Sequence, residues 1–186
     1  MAIGTNIIIW IVVGVVVLLI IGLFNRLVRL KNQVKNSFAQ IDVQLKRRND
    51  LIPNLIETVK GYMKHEREVL ENVTKARTAV MSATSPDKKA DASNALTNTL
   101  KSLFAVSENY PDLKANQNFM QLQEEITGTE NKIAYSRQHY NDMVMLFNTK
   151  IQTFPNNVFA NMLGFKEERS FEATAQEREN VKVSFS

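Results

Sequence analysis

In 186 residues there are no cysteines, six glycines and four prolines, which excludes disulfides and thiolate chemistry and suits a helical chain with few turns. The net charge of +4 is uneven: residues 26–48 hold seven basic side chains against Asp42 alone, while the rest carries sixteen basic and eighteen acidic groups. The basic character is therefore juxtamembrane and makes no nucleic-acid footprint, so no nucleic-acid partner is expected.

Met1–Asn25 carries no charged side chain, and Ile7–Phe24 is an unbroken apolar run. As a helix this run makes ~27 Å, enough to cross most of a bilayer's hydrocarbon core. A cleaved signal peptide would need a basic start, a shorter apolar core and a small-residue cleavage site; Leu23-Phe24-Asn25 is a poor one. Residues 1–25 thus read as a retained, single-pass transmembrane anchor. Arg26, Arg29, Lys31 and Lys35 follow it directly, so the positive-inside rule places the C-terminal domain in the cytoplasm. The same cluster suits anionic lipids, at ~1 kcal/mol per basic residue close to the surface. Gly14 and Gly22 lie eight apart, a weak sign of close helix packing beside the plainer reading of ordinary membrane glycines.

After Asn25 the apolar positions Leu27, Leu30, Val34, Phe38, Ile41 and Leu45 recur at helical spacing. Ile52, Leu55, Val59, Tyr62, Val69, Val73, Ala76 and Val80 continue the phase. This predicts one helix from Arg26 to Ala83, kinked but not reversed at Pro53. Ser85-Pro86-Asp87 reads as a cap, a first-position proline and a first-turn acid, opening a second helix to about Glu108. Asn109–Asp112 reads as a turn. A third helix is expected from about Asn116 to Gln152, with Phe119, Ile126, Ile133, Tyr140 and Phe147 on its inner face. Phe154-Pro155 ends it, 156–163 makes a short helix closed by Gly164, and 165–186 forms a charged tail, extended or partly ordered. The fold class is all-α: a transmembrane helix continuing into a long-helix antiparallel bundle. The expected domains are 1–25, 26–164 and 165–186.

The chemistry-bearing residues favour no catalyst. His65-Glu66-Arg67-Glu68-Val69 begins like a zinc-protease helix, but valine stands where the second histidine is needed. His139 follows Ser136, so the Glu-x-x-His pattern of di-iron bundles is absent too. No catalytic residue, metal ligand or cofactor site is assigned. Glu124, Glu125 and Glu130 are expected to pair with Arg137 or with basic residues of the first helix. Lys46, Arg47 and Arg48 lie ~33 Å beyond Arg26 on a straight helix, against a Debye length of ~8 Å, and read as a candidate partner-binding cluster or as internal ion-pair donors. In a three-helix arrangement, Leu27, Leu30, Val34, Phe38, Ile41 and Leu45 would lack a helical partner within the subunit. They are therefore a candidate stripe for zipping homo-oligomers together, the alternative cover being the chain's own tail.

The run Ile41-Asp42-Val43-Gln44-Leu45-Lys46-Arg47-Arg48, then Asp50-Leu51-Ile52-Pro53-Asn54-Leu55 and Glu57-Thr58-Val59-Lys60-Gly61-Tyr62, resembles the hallmark stretch of the bacterial LemA family. Leu103-Phe104-Ala105-Val106, Tyr110-Pro111-Asp112-Leu113-Lys114-Ala115-Asn116, Leu122-Gln123-Glu124-Glu125, Phe154-Pro155 and Gly164-Phe165 agree with it. Asn49 departs from the aromatic or imidazole ring often found there. The resemblance implies a single-pass protein of the bacterial inner membrane with a helical bundle and no established enzymatic activity. A membrane-anchored scaffold, oligomeric and acting by binding, is the expectation, with an unidentified membrane protein partner. Family-level associations offer two alternatives, a membrane-remodelling protein and an adaptor for a membrane metalloprotease.

Overall fold

The structure, a computed structural model, describes residues 2–63 and 65–171, with side chains from Ile8 onward. The described residues form helices α1 (Ala2–Lys60), α2 (Arg67–Ser82), α3 (Pro86–Ser107), α4 (Pro111–Lys114), α5 (Gln117–Gln152) and α6 (Asn156–Met162), as the all-α reading requires. They group into two compact units that are not consecutive stretches of chain. Of the described residues, the first comprises 2–39 and 138–170, the second 40–137 and Phe171.

In the second unit, α1 does not run on to Ala83 as expected. It ends at Lys60, Tyr62 and Met63 turn back onto the Val59 carbonyl at 3.0 and 2.9 Å, and α2 reverses direction. Asn116 donates to the Tyr62 hydroxyl at 3.0 Å and the Tyr110 hydroxyl to Glu66 at 3.3 Å, pinning this turn. The apolar phase is blind to the reversal, because a reversed helix presents the same 3.6-residue periodicity. The hairpin buries Val73, Ala76 and Val80, which a continuous helix would leave without cover.

Pro53 sits inside α1 without reversing it, as expected. Having no N–H, it leaves the Asn49 carbonyl without its usual partner four residues on. Arg77 of α2 donates to that carbonyl through Nε at 3.0 Å, so the reversed helix repairs the defect in the first.

Ser85 accepts from the Lys88 amide at 3.3 Å and Pro86 opens α3, as the sequence specified. Lys89 meets Asp42, and Ser93 meets Arg48, so α3 runs parallel to α1. Arg137 reaches Asn94 and Glu130 reaches Thr97, so α5 runs antiparallel to α3. The second unit is therefore an up-down-up-down bundle of four helices in place of the expected three. Its core includes Ile52, Leu55, Val59, Leu96, Leu103, Ile126 and Ile133. Pro111 and Asp112, expected as the second half of a turn over 109–112, instead open the single-turn helix α4, which buries Leu113.

In the first unit the beginning of α1 packs antiparallel to the end of α5. Phe38 meets Tyr140 edge-on at 5.6 Å, and Phe165 bridges Phe24 and Phe147 at 6.1 and 6.3 Å. Helix α6 closes with paired bonds from Phe165 N–H to the Ala160 carbonyl (2.9 Å) and from Gly164 N–H to the Asn161 carbonyl (3.3 Å). Such a closure needs a left-handed residue, and Gly164 has φ of 74°. The extended segment after it lies along α5. Asn148 donates to the Glu168 carbonyl at 2.8 Å and accepts from its amide at 3.0 Å, while Tyr140 donates to the Arg169 carbonyl at 2.9 Å. The part of the expected tail beyond Phe171 lies outside the described residues.

Candidate functional site

The largest polar cluster is buried in the second unit, at a position that the apolar seam of α1 skips. Leu45 and Ile52 are core residues seven apart, and Arg48 fills the gap between them, fully buried. Its Nη1 donates to Thr97 at 2.9 Å and forms a close ion pair with Glu130, and its Nη2 donates to Ser93 Oγ at 3.0 Å. Thr97 in turn donates to the other Glu130 oxygen at 2.8 Å. One guanidinium thus fastens α1, α3 and α5 at a single level. The small side chain of Ser93 leaves room for it on α3. Burial pushes the Arg48 guanidinium below the usual arginine value, Glu130 opposes that through charge and hydrogen bonding, and Arg137 adds to the depression. The group holds its charge at neutral pH and acts as a donor fork.

A second ion pair stands nearer the start of this bundle. Lys89 donates to both Asp42 oxygens, at 2.7 and 2.8 Å, with the lysine mostly covered. Arg137 adds a stacking contact, its guanidinium 4.7 Å from the Phe171 ring.

The proposed partner-binding cluster is therefore corrected. Arg48 is interior and paired, which removes it from any surface; Lys46 pairs with Asp50 at 2.9 Å in the open, and Arg47 remains exposed. The Glu130 part of the expected internal network is present, with Arg48 as its partner.

The oligomer stripe is corrected as well. Leu27, Val34, Ile41 and Leu45 are buried within the chain, and Leu30 and Phe38 are partly covered. The premise of a bare stripe failed because the reversal at Gly61 adds one helix. With one more change of direction, α5 runs back along α1 and supplies the partner that a three-helix count denied it.

The membrane-flanking cluster stands open. Arg26, Arg29 and Lys35 are exposed, and Lys31 lies 4.0 Å from Glu168 with half its side chain in solvent. Before them, the large apolar side chains of Ile8–Leu19 are 45–74% exposed. Helix α1 is the described helix long and apolar enough to cross a membrane, by length and composition. Among the described residues no group of three or more His, Cys, Asp or Glu side chains that could hold a metal ion converges.

Comparison with known proteins fits this arrangement. The LemA family model matches residues 37–185, from the end of the first α1 segment to the end of the tail. The chain belongs to the LemA family. Protein LemA of Metamycoplasma hominis is 30% identical to it over 176 residues, which cover 92% of this chain and 79% of that protein. Within this LemA-family chain, sequence reasoning placed Arg48 in a surface cluster, whereas the structure buries it. The seven-residue gap in the seam was the available signal, since a bundle helix seldom leaves two turns without an inward residue.

Proposed function

We propose that this LemA-family chain is a membrane-anchored helical scaffold that works by binding and carries no catalysis of its own. The observation that carries the reading is the bare apolar surface of Ile8–Leu19, on a helix that continues without a break into a packed bundle. In water such a surface would drive association; in hydrocarbon it is matched to its solvent. The basic residues after the anchor favour the cytoplasmic side for the bundle and an anionic leaflet beside it. A binding role is supported by the use of the strongest polar cluster, around Arg48, to join helices. Homo-oligomers and a membrane protein partner belong to the same reading, through surfaces other than the Leu27–Leu45 stripe.

The cysteine-free sequence gives a clean test. A cysteine placed at exposed Thr84 should resist an impermeant maleimide in intact spheroplasts and react after lysis. Labelling of intact spheroplasts would overturn the cytoplasmic assignment, and release of the chain by alkaline carbonate would overturn the anchor. Cross-linking in native membranes should give discrete products containing the chain; a purely monomeric result would remove the scaffold reading.

A further inference from the structure

The apolar run of the anchor ends at Phe24, and the first unit brings a second apolar surface to that same level. Phe38 packs on Tyr140 in antiparallel segments. The fourteen residues back along α1 to Phe24 cover ~21 Å and the twelve forward to the end of α5 at Gln152 ~18 Å, which brings Phe154, two residues on, close to the height of Phe24. The ring of Phe165, just past α6, confirms the level by lying 6.1 Å from the Phe24 ring. Helix α6 lies between these two markers.

One face of α6 is internal, burying Asn156 and Ala160. The other is bare: Val158 is 55% exposed and Met162, one turn later, 73%, with Phe154 before them 82% exposed. Exposed Arg26 and Arg29 follow Phe24 on α1, Lys150 stands in the last turn of α5 and exposed Lys166 follows α6, with the acidic Glu167 among them held by Gln152 at 2.8 Å. Apolar residues projecting from a basic rim fit the boundary between anionic headgroups and acyl chains, where both kinds of side chain are satisfied. The face is also continuous with the end of the anchor, so a bilayer holding Ile7–Phe24 already reaches this height.

We propose that Phe154 and the Val158–Met162 face of α6 form a second membrane contact, resting in the interfacial layer beside the point where α1 leaves the bilayer. This rests on the reading of Ile7–Phe24 as membrane-embedded. The contact would fix the first unit against the membrane surface at two points and prevent its rotation about the anchor axis. The occupant is lipid, because both the adjoining anchor and the charge of the rim point to an anionic bilayer.

The test uses the full chain in vesicles of phosphatidylcholine and phosphatidylglycerol, with or without lipid brominated near the headgroup end of its acyl chains. The single native tryptophan, Trp10, reports on the anchor in the unaltered protein. In a Trp10→Phe background, Val158→Trp and Met162→Trp each place a probe on α6, and circular dichroism checks the helical fold. Met145→Trp is the control. It is 66% exposed on α5 but nine residues before Phe154, ~13 Å from that level. Emission from the two α6 probes is expected to shift to the blue and to fall to less than half with brominated lipid, while the control stays red-shifted and unquenched. Red-shifted, unquenched α6 probes together with a quenched Trp10 would overturn the contact and leave the anchor standing. Blue-shifted but unquenched α6 probes would mean cover by protein, such as a second copy, and would also overturn it. An unquenched Trp10 would remove the anchor reading and this proposal together.

Discussion

A guanidinium taken out of water loses hydration on the order of several kcal/mol, and Arg48 offsets part of this through Nη1 and Nη2 with Thr97, Ser93 and Glu130, while its buried Nε has no partner among the described residues. Removing one member is therefore costlier than removing the pair. Glu130→Ala is expected to lower unfolding stability by about 3 kcal/mol, the low end for a broken buried pair because the carboxylate is one-third exposed. The double change Arg48→Met with Glu130→Leu should cost ~1 kcal/mol or less. Denaturant titration of the unaltered chain and the two variants checks this, and a double variant as unstable as the single would show that the pair contributes in another way. Arg77 offers a second cycle. Arg77→Met should cost ~1.5 kcal/mol by orphaning the Asn49 carbonyl. In a Pro53→Ala background the restored N–H can reach that carbonyl, so the cost should fall to about 0.5 kcal/mol or less. Equal costs in both backgrounds would disprove the repair. Pro53 was legible as a helix defect from the sequence; that Arg77 answers it was not, since the two are 24 positions apart and the hairpin between them was unseen.

At the scale of elements, the clearest local signals held. Ser85-Pro86 opened α3 and Gly164 closed α6, because caps are decided by a few neighbouring backbone groups. At Gly164 a Cβ would meet open space, so Gly164→Ala suffers only from its left-handed backbone, and a thermal melt should show a loss of ~1 kcal/mol. The turn at Gly61 escaped notice although Lys60-Gly61 is a helix-stop signal, because the apolar phase ran on through it; Glu66 makes no side-chain cap to α2. Contacts distant in sequence, to Tyr110 and Asn116, hold it instead. The strap after α6 is likewise long-range. Asn148→Leu removes both of its bonds to Glu168, and limited trypsin digestion should then cut at Lys166 and Arg169 about tenfold faster, the equivalent of ~1.4 kcal/mol of local stability. An unchanged cleavage rate would mean that packing of Phe165 and Phe171 alone holds the segment.

For the whole molecule, the four basic residues after the anchor are the testable determinant of orientation. Changing Arg26, Arg29, Lys31 and Lys35 together to glutamate should expose the Thr84→Cys label site in a substantial fraction of intact spheroplasts. Unaltered protection would show that insertion is set by something other than the flanking charge. Lys31 also faces Glu168, so the variant has to be checked for its helical content before the labelling is read.

The sequence by itself determined the all-α class, the long apolar N-terminal helix with its basic flank, and the family, through ordered strings such as Asp50-Leu51-Ile52-Pro53-Asn54-Leu55. Each is written in local composition, in the helical period or in linear order, which survive without knowledge of direction. Tertiary structure alone decided how many times the chain reverses, and every later partnership followed from that number. One unforeseen turn made three long helices four, returned α5 along α1, covered Leu27 and Val34, and took Arg48 from a supposed docking surface into a buried ion pair. The physical reason is that an apolar stripe states which face seeks cover, while the identity of the covering helix depends on chain direction, which periodicity does not carry.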